Sequence, residues 1–390
     1  MDLDALSESP IGQLVPITGN DGRTGVPYRS YGFLTNPLPS SISLTSSTWT
    51  AVTEAEAALA RLDQASQQLP DPRVLRQPSL RREAQSTSAL EGTFAPFEDV
   101  LESDIDERAQ LSLEVREVLN YVVAAEEAFS WIDERPLTTG LIANLQRILV
   151  QGTPGEYTDA GRVRDRQVVI GPRDAPIENA RFVPPPPGDQ LQAGLEQWVD
   201  WVNNPPDDIP SVVQAALAHY QFEALHPFSD GNGRIGRLLI VLQLMRQQRL
   251  RDAILVVSPW FEERRVEYQD GLLTLSETGN WDTWVEFFAT GVGTSAQTTL
   301  ARVERLLAWQ DETIKEVRRA RAVGTAERIA SDLIGTPVLR ASQVARRHGV
   351  SHQGAMNALR RLAELGIIEE RQRRGRVVFV APAVVDLLSQ

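Results

Sequence analysis

The stretch HPFSDGNGRIGR at residues 226–237 places a histidine, an acid, a glycine-rich turn and two arginines close together in the chain. His226 precedes a proline that cannot continue a helix, so its imidazole should lie at the edge of a loop, where it can accept a proton near neutral pH. Asp230 supplies a hard oxygen ligand suited to Mg²⁺ carried by a nucleotide. This half of the stretch therefore predicts a base beside a metal-bound phosphate chain.

The other half is suited to anions. Gly231, Asn232 and Gly233 open the next predicted helix, where their amides can face an anion at the positive end of the helix dipole. Arg234 and Arg237 are three residues apart, hence on one helix face, and can bind phosphate oxygens. Taken singly, a histidine before a proline is more often a cap, and Gly-Asn-Gly more often a turn. Together they indicate transfer of a nucleotide or phosphoryl group to a hydroxyl.

This stretch resembles the Fic (Fic/Doc) family, whose pattern H-x-F-x-(D/E)-G-N-G-R-x-x-R it meets at every specified position. In that family the histidine deprotonates a target hydroxyl, which attacks the α-phosphorus of ATP, so that AMP stays on the target and pyrophosphate leaves. The resemblance implies that His226 is the base, that Asp230 acts through Mg²⁺ or Mn²⁺, and that Arg234 and Arg237 bind the β- and γ-phosphates. It extends over most of the chain, from about residue 30 onward.

The resemblance also implies a binding site for ATP as co-substrate. Tyr268 and Gln269 stand where relatives often have paired tyrosines beside the adenine, and Gln269 is assigned to that side of the pocket. The residues implied along the phosphates are Gly231, Asn232, Gly233, Arg234, Ile235, Gly236 and Arg237.

A second motif, TSALEG at residues 87–92, matches the inhibitory pattern (S/T)-x-x-x-E-(G/N) of the same family. It closes a predicted helix at about residues 80–92, and Gly92 suits a helix C-terminus. The resemblance implies that Glu91 pairs with Arg237 and occupies the place of the γ-phosphate. The alternative is a solvated glutamate near a helix end.

Residues 161–183 contain two short extended pieces around a polar turn, which predicts a β-hairpin on a helical body. In the resembled family such a flap adds a segment of the protein target as an extra strand through main-chain hydrogen bonds. We therefore expect a protein target along this hairpin, with self-modification as one case. An ordinary structural hairpin is the alternative.

The composition suits a globular protein of two or three domains, with 390 residues, 42% of them hydrophobic, and no cysteine. Structural disulfides and cysteine-based zinc sites are thereby excluded. The longest apolar run, residues 377–385, is interrupted by Pro382, and the first ten residues are acidic. Neither a membrane span nor a signal peptide is expected, which favours the cytoplasm and no membrane partner.

The last part of the chain differs in charge. Residues 336–390 hold nine arginines against four acidic residues, whereas the whole chain carries −13. Two predicted helices at residues 341–348 and 351–365, followed by strands around Arg371, Arg373, Arg374 and Arg376, have the layout of a winged helix with Gly375 at the wing tip. Weak DNA binding through phosphates is one interpretation, and homodimerisation or protein docking is the other.

The fold class expected is mainly α: a helical core of the Fic type with a β-hairpin flap, plus a C-terminal winged-helix domain. Residues 1–47 lack periodicity and should form an extended arm packed on this body. The expected units are an N-terminal region at residues 1–110, a catalytic domain at 111–321, a linker at 322–338 and the winged helix at 339–390.

The favoured function is a protein adenylyltransferase that Glu91 keeps inhibited. The alternatives are a DNA-binding regulator that uses the same domain as a nucleotide sensor, and an enzyme of this family that uses another donor or removes AMP.

Overall fold

A computed structural model describes residues 1–20, 25–67, 73–102, 111–132, 134–157, 159–171, 176–373 and 376–389. Helices dominate, and the elements are numbered in chain order. They are α1 Leu3–Ser7, β1 Gly12–Asn20, β2 Pro27–Thr35, α2 Ser46–Gln67, α3 Arg73–Leu90, α4 Phe97–Glu102, α5 Leu113–Trp131, α6 Thr139–Leu149, α7 Asp189–Asn203, α8 Ser211–Leu225, α9 Asn232–Arg246, α10 Ser258–Glu263, α11 Arg265–Thr278, α12 Trp281–Arg319, α13 Thr325–Asp332, β3 Val338–Leu339, α14 Ala341–His348, α15 His352–Glu364, β4 Glu369–Arg373, β5 Arg376–Val380 and α16 Pro382–Ser389. Within the described ranges, no helix combines the length and the apolar character that crossing a bilayer requires.

Helices α8 and α9 form the centre of the molecule. All residues of α8 except Glu223 are buried, and so is α9 up to Met245. A helix that is apolar on all sides is stable only when other elements surround it. Here α5 and α6 pack on α9, while α7 and the long helix α12 pack on α8. The loop between α8 and α9 is therefore fixed at both ends by the core, and the side chain of Phe228 within the loop is fully buried.

Helix α3, which carries the TSALEG motif, is anchored to the core. It starts at Arg73, earlier than predicted, and includes Pro78. The buried carboxylate of Glu83 accepts hydrogen bonds from the amides of Val257 and Ser258, at 2.8 and 2.9 Å, where α10 begins. The helix ends as predicted at Gly92, whose φ of 93° favours glycine. The position of Glu91 is thus set by the anchor at Glu83 and by the turn at Gly92 that ends the helix.

The N-terminal arm is more regular than expected. Residues of β1 and β2 pair as an antiparallel hairpin, from Gly12 opposite Thr35 to Asn20 opposite Pro27. Glycine and proline interrupt the apolar alternation that would reveal these strands, so their pairing is visible only in three dimensions. The amide of Phe33 donates to the carbonyl of Val183 at 2.8 Å, which joins this hairpin to the predicted flap.

The flap is less regular than the predicted hairpin over residues 161–183. Its two pieces share one antiparallel bridge, in which Ile170 and Phe182 exchange backbone hydrogen bonds of 2.9 and 3.0 Å. A short 3₁₀ turn, Ile177–Asn179, precedes the second piece, and residues 172–175 lie outside the described ranges. The prolines at 184–187 have no amide hydrogen to donate, so they cannot extend the ladder.

The C-terminal elements follow the predicted order. Helices α14 and α15 are followed by β4 and β5, and β3 completes a three-stranded sheet in the order β3-β5-β4. Arg374 and Gly375, the predicted wing tip, lie outside the described residues. Two of the wing arginines face the protein itself: Arg373 Nη2 lies 2.5 Å from Glu98 of α4, and Arg371 Nη1 lies 3.6 Å from the same carboxylate.

The contact between Glu98 and Arg373 should be energetically modest. Both side chains are about 40% exposed, and such pairs contribute at most about 1 kcal/mol and weaken as salt rises. We expect a double-mutant cycle with Glu98→Ala and Arg373→Ala, followed by urea unfolding, to show a coupling of this size at low salt. The same cycle on Arg361 and Glu364, an exposed pair within α15, is the control and should show less. Additive effects at Glu98 and Arg373 would contradict the pairing.

Candidate active site

A cavity of about 540 Å³ lies between α8, α9, α11 and the end of α3. Five residues singled out from the sequence line it together, although they come from distant parts of the chain. They are Glu91, His226, Gly233, Arg237 and Gln269.

His226 ends α8 in the left-handed backbone conformation, with φ 47°. Its Nδ1 lies 3.3 Å from the carbonyl oxygen of Glu223. Because a carbonyl can only accept, Nδ1 carries the proton and Nε2 keeps its lone pair. Burial, followed by the positive charge of Arg164, lowers the pKa of His226 to about 4. The imidazole is therefore neutral at pH 7 and able to accept a proton.

Arg164 supports the loop that carries His226. This buried guanidinium donates from Nε to the carbonyl of His226 at 2.8 Å and from Nη2 to the carbonyl of Pro185 at 2.6 Å. It thus ties the flap to the end of α8. A non-glycine residue in the left-handed conformation is held there by its surroundings, and Arg164 supplies part of that restraint.

The glycine-rich turn leads into α9 as predicted. Gly231 adopts φ 85°, and the Asn232 side chain closes the loop by bonding both the amide and the carbonyl of Phe228, at 2.9 and 2.8 Å. A Cβ at Gly233 would overlap the carboxylate of Glu91. Glycine there lets the carboxylate lie against the N-terminus of α9, the place where an anion is favoured.

Glu91 forms an ion pair with Arg237. Its Oε1 accepts from Arg237 Nη2 at 2.5 Å, and Thr87, the first residue of the TSALEG motif, binds Arg237 Nε at 2.7 Å. Arg237 is 2% exposed, whereas Glu91 keeps 40% of its side chain exposed. Burial alone would raise the pKa of Glu91, but Arg237 and Arg234 more than offset it, so its pKa lies below the usual value. The pair is charged at neutral pH.

Arg234 is also engaged by carboxylates. Its Nη1 lies 3.3 Å from Glu117 of α5, and its Nη2 lies 3.2 Å from Asp230. Glu117 in turn accepts a hydrogen bond of 2.7 Å from Thr93, two residues after Glu91. Arg237 therefore contacts Glu91 at the end of α3. Arg234 contacts Glu117, which binds Thr93 just after that helix.

Asp230 fits a metal that a ligand brings with it. Its side chain is 42% exposed, and Oδ1 accepts from Arg234. Across the described ranges, no cluster of three or more histidine, aspartate or glutamate side chains could hold a metal. Mg²⁺ is commonly bound through one or two carboxylates together with substrate phosphates and water. Asp230 matches that mode of binding.

The far end of the cavity is more apolar and includes Tyr220, Leu272, Leu273 and Gln269. Tyr268, beside Gln269, is buried, and its hydroxyl lies 2.8 Å from His219 Nε2. The apolar side chains at this end suit a base more than a phosphate, and the assignment of Gln269 to the adenine side stays a prediction.

Other residues at the site are not predicted by any motif in the sequence. Arg164, Glu117 and Glu223 belong to none of the quoted patterns, although the position of Glu223 one turn before His226 could have drawn attention to it. Among the predicted binding residues, Ile235 buries its side chain in the core, so only its backbone is available to a ligand.

Comparison with known proteins agrees with this geometry. Residues 49–130 match the model of the Fic/DOC family N-terminal region, and residues 136–244 match that of the Fic/DOC family. Protein adenylyltransferase fic-1 of Caenorhabditis elegans is 39% identical over 102 residues, which cover 26% of this chain and 18% of that protein. Protein adenylyltransferase Fic of Nematostella vectensis is 33% identical over 135 residues, which cover 33% and 29%. The chain thus spans less than a third of the length of either relative.

The fold also has a counterpart among solved structures. A Fic family protein from Desulfovibrio desulfuricans G20 superposes with a TM-score of 0.57 at 22% identity, covering 87% of this chain and 97% of that one. This likeness shows the fold alone. With the HPFSDGNGRIGR motif beside the cavity and the two adjoining family matches, the chain contains the N-terminal region and the Fic domain of the Fic/DOC family.

Proposed function

We propose that the protein is an adenylyltransferase that transfers AMP from ATP to a hydroxyl side chain of a protein target. The observation that carries the proposal is the neutral imidazole of His226 in the same cavity as Arg237 and the N-terminus of α9. A base, an arginine and a helix N-terminus around one cavity suit attack on a phosphate. The names of the relatives support the same activity.

In the proposed reaction, Nε2 of His226 takes the proton of the target hydroxyl. The hydroxyl oxygen forms a bond to the α-phosphorus while the bond to the pyrophosphate oxygen breaks, so the target keeps AMP and pyrophosphate leaves. Arg234 and Arg237 stabilise the negative charge of the leaving group. Asp230 would hold Mg²⁺, which neutralises phosphate charge when bound.

We further propose that Glu91 inhibits this reaction. Its carboxylate binds Arg237 and lies against Gly233, so it occupies the space that a phosphate of ATP would need. A phosphate there would meet electrostatic repulsion and an arginine already paired. ATP would then bind with its γ-phosphate misplaced or not bind productively.

Mass spectrometry of the full chain after incubation with ATP and Mg²⁺ tests the proposed activity. We expect an added AMP on the protein itself or on a protein from a suitable lysate, because the adduct mass identifies the group transferred. An adduct of phosphate or of another nucleotide would favour a different donor. Absence of any adduct with the inhibitory carboxylate removed would contradict the proposal.

We propose that the target binds along the flap. Ile170 and Phe182 at the bridge also line the cavity, and Val169 beside them is 40% exposed. An extended segment of a target could form main-chain hydrogen bonds with the first piece of the flap, which contains Val169 and Ile170. This pairing would bring the target hydroxyl towards His226.

Replacing Asp230 and replacing Arg237 should impair AMP transfer in different ways. Arg237→Ala removes a charge that no metal can replace, so we expect weak transfer at every Mg²⁺ concentration. Asp230→Ala should recover part of its activity at high Mg²⁺ or Mn²⁺, because phosphates and water can still bind the metal. Metal titrations of transfer in both variants check this, and identical curves would contradict the separate roles.

The C-terminal elements act, in our proposal, mainly as an internal docking unit, because Arg371 and Arg373 already bind Glu98. Contacts with DNA phosphates would then come from exposed arginines such as Arg360 on α15. Weak binding of duplex DNA remains a second proposal. Filter binding at rising salt tests it, since binding through phosphates weakens steeply as salt rises.

A further inference from the structure

Glu223 is an acid in the cavity to which neither the motif nor the proposed mechanism gives a role. It is the one residue of α8 that is not buried, and it lines the cavity. Its Oε1 is nevertheless inaccessible to solvent and has no hydrogen-bond partner among the described residues. A buried carboxyl oxygen without a partner is costly. Oε1 packs against Gly236 of α9, so the other oxygen of this cavity-lining carboxyl group is the candidate to bind a polar group of the ligand.

The position of Glu223 along α8 indicates which part of the ligand it faces. One side of the helix carries Tyr220, Glu223 and His226, which follow one another at intervals of three residues. Each lies about 4.5 Å further along the helix axis than the one before. Tyr220 belongs to the apolar end of the cavity, and His226 to the end that contains Arg237. In a nucleotide the sugar joins the base to the phosphates. Glu223 therefore lies at the level of the sugar.

The protonation of Glu223 suits a sugar. Burial raises its pKa to about 8, with Arg237 opposing the rise and Glu91 adding to it. The other titratable groups that face it are His226, which is neutral, and the buried phenol of Tyr268. Its nearest cation, Arg237, is already bound to Thr87 and Glu91. At pH 7 the carboxyl is thus neutral and can both donate and accept a hydrogen bond.

We propose that Glu223 is a specificity-determining residue that hydrogen-bonds a ribose hydroxyl of the bound nucleotide and so selects ribonucleotides over deoxyribonucleotides. The inference rests on the proposed function, because it takes the ligand to be ATP. A site that pairs a substrate hydroxyl discriminates against the analogue that lacks it, since the buried protein group is then left unpaired.

Equilibrium binding of ATP, 2′-deoxy-ATP and 3′-deoxy-ATP to the full chain tests this. The Glu91→Gly variant serves as the parent, because its arginine is free for phosphate. We expect at least one deoxy analogue to bind the parent about tenfold more weakly than ATP. Adding Glu223→Ala should abolish that preference by weakening ATP, while the affinity for that analogue stays the same. Glu267→Ala, which removes an exposed glutamate of α11, is the matched control and should leave the preference intact.

A second variant separates hydrogen bonding from charge. Glu223→Gln keeps a donor and an acceptor but cannot ionise, so it should retain the preference and lose the decline in ATP affinity that the parent shows as pH rises through the pKa of Glu223. That pKa is about 8 in the wild type, where Glu91 helps to raise it, and is lower in the parent. Thermal unfolding confirms that each variant is folded. Equal affinities of all three nucleotides for the parent would overturn the role of Glu223 alone. If no nucleotide binds the parent, the adenylyltransferase proposal fails and this inference fails with it.

Discussion

His226→Ala is expected to reduce AMP transfer by on the order of 10²–10⁴-fold, the usual contribution of a general base. The structure leaves Nε2 of this imidazole without a proton and lowers its pKa to about 4. The wild-type protein should therefore keep its base deprotonated through the neutral range. As pH falls through the folded pKa, His226 gains a proton and transfer should decline, with the acid limb of kcat/KM below pH 6.5.

Labelling with ATP that carries the isotope on its α-phosphate measures the effect. His352→Ala is the matched control, since His352 is exposed on α15 and does not line the cavity. It should leave transfer unchanged. Nucleotide binding by His226→Ala should also persist, because the arginines remain. An equal adduct yield from His226→Ala and the wild type would remove His226 from the mechanism.

Glu91→Gly is expected to raise transfer at least about tenfold, which corresponds to roughly 1.4 kcal/mol of transition-state stabilisation. In the wild type the carboxylate is charged, binds Arg237 at 2.5 Å and lies on the N-terminus of α9. Removing it releases both the arginine and the helix end for phosphate. Glu91→Gln should give a smaller rise, since the amide has no charge yet still fills the space.

The rise should be largest at low ATP concentration, where competition with the carboxylate matters most. Glu134→Gly, which removes an exposed loop glutamate away from the cavity, is the control. Unchanged or lower transfer in Glu91→Gly would contradict inhibition by Glu91. If the wild type removes AMP from a modified target and Glu91→Gly does not, Glu91 is instead the base of that reverse reaction.

Much of the helical core could be predicted because its periodicity is local. Apolar residues at helical spacing over residues 49–69, 111–132 and 211–225 predict helices, and α2, α5 and α8 correspond to them within a few residues. The same spacing does not predict α10 and α11. The first is short and starts with Ser-Pro, and the second has few buried residues, so neither gives a strong apolar stripe.

The site could be predicted only where one motif holds its residues. His226 and Arg237 are near neighbours in the chain, so their spacing already implies that they lie close together. The pairing of Glu91 with Arg237 joins residues 146 positions apart and was accessible only through the family resemblance. Arg164 acts through backbone carbonyls of distant segments, and Glu117 acts through Arg234 and Thr93. No local pattern encodes contacts of that kind.

The bridge between Glu98 and Arg373 has a consequence for how the chain folds during synthesis. Its partners are 275 positions apart, whereas those of the Glu91–Arg237 pair are 146 apart. A ribosome adds about 5–20 residues per second, and N-terminal parts fold first. Arg237 is therefore made roughly 7–27 seconds before Arg373. A nascent chain can thus pair Arg237 with Glu91 well before its last strands exist, so the inhibitory contact can already be present when synthesis ends.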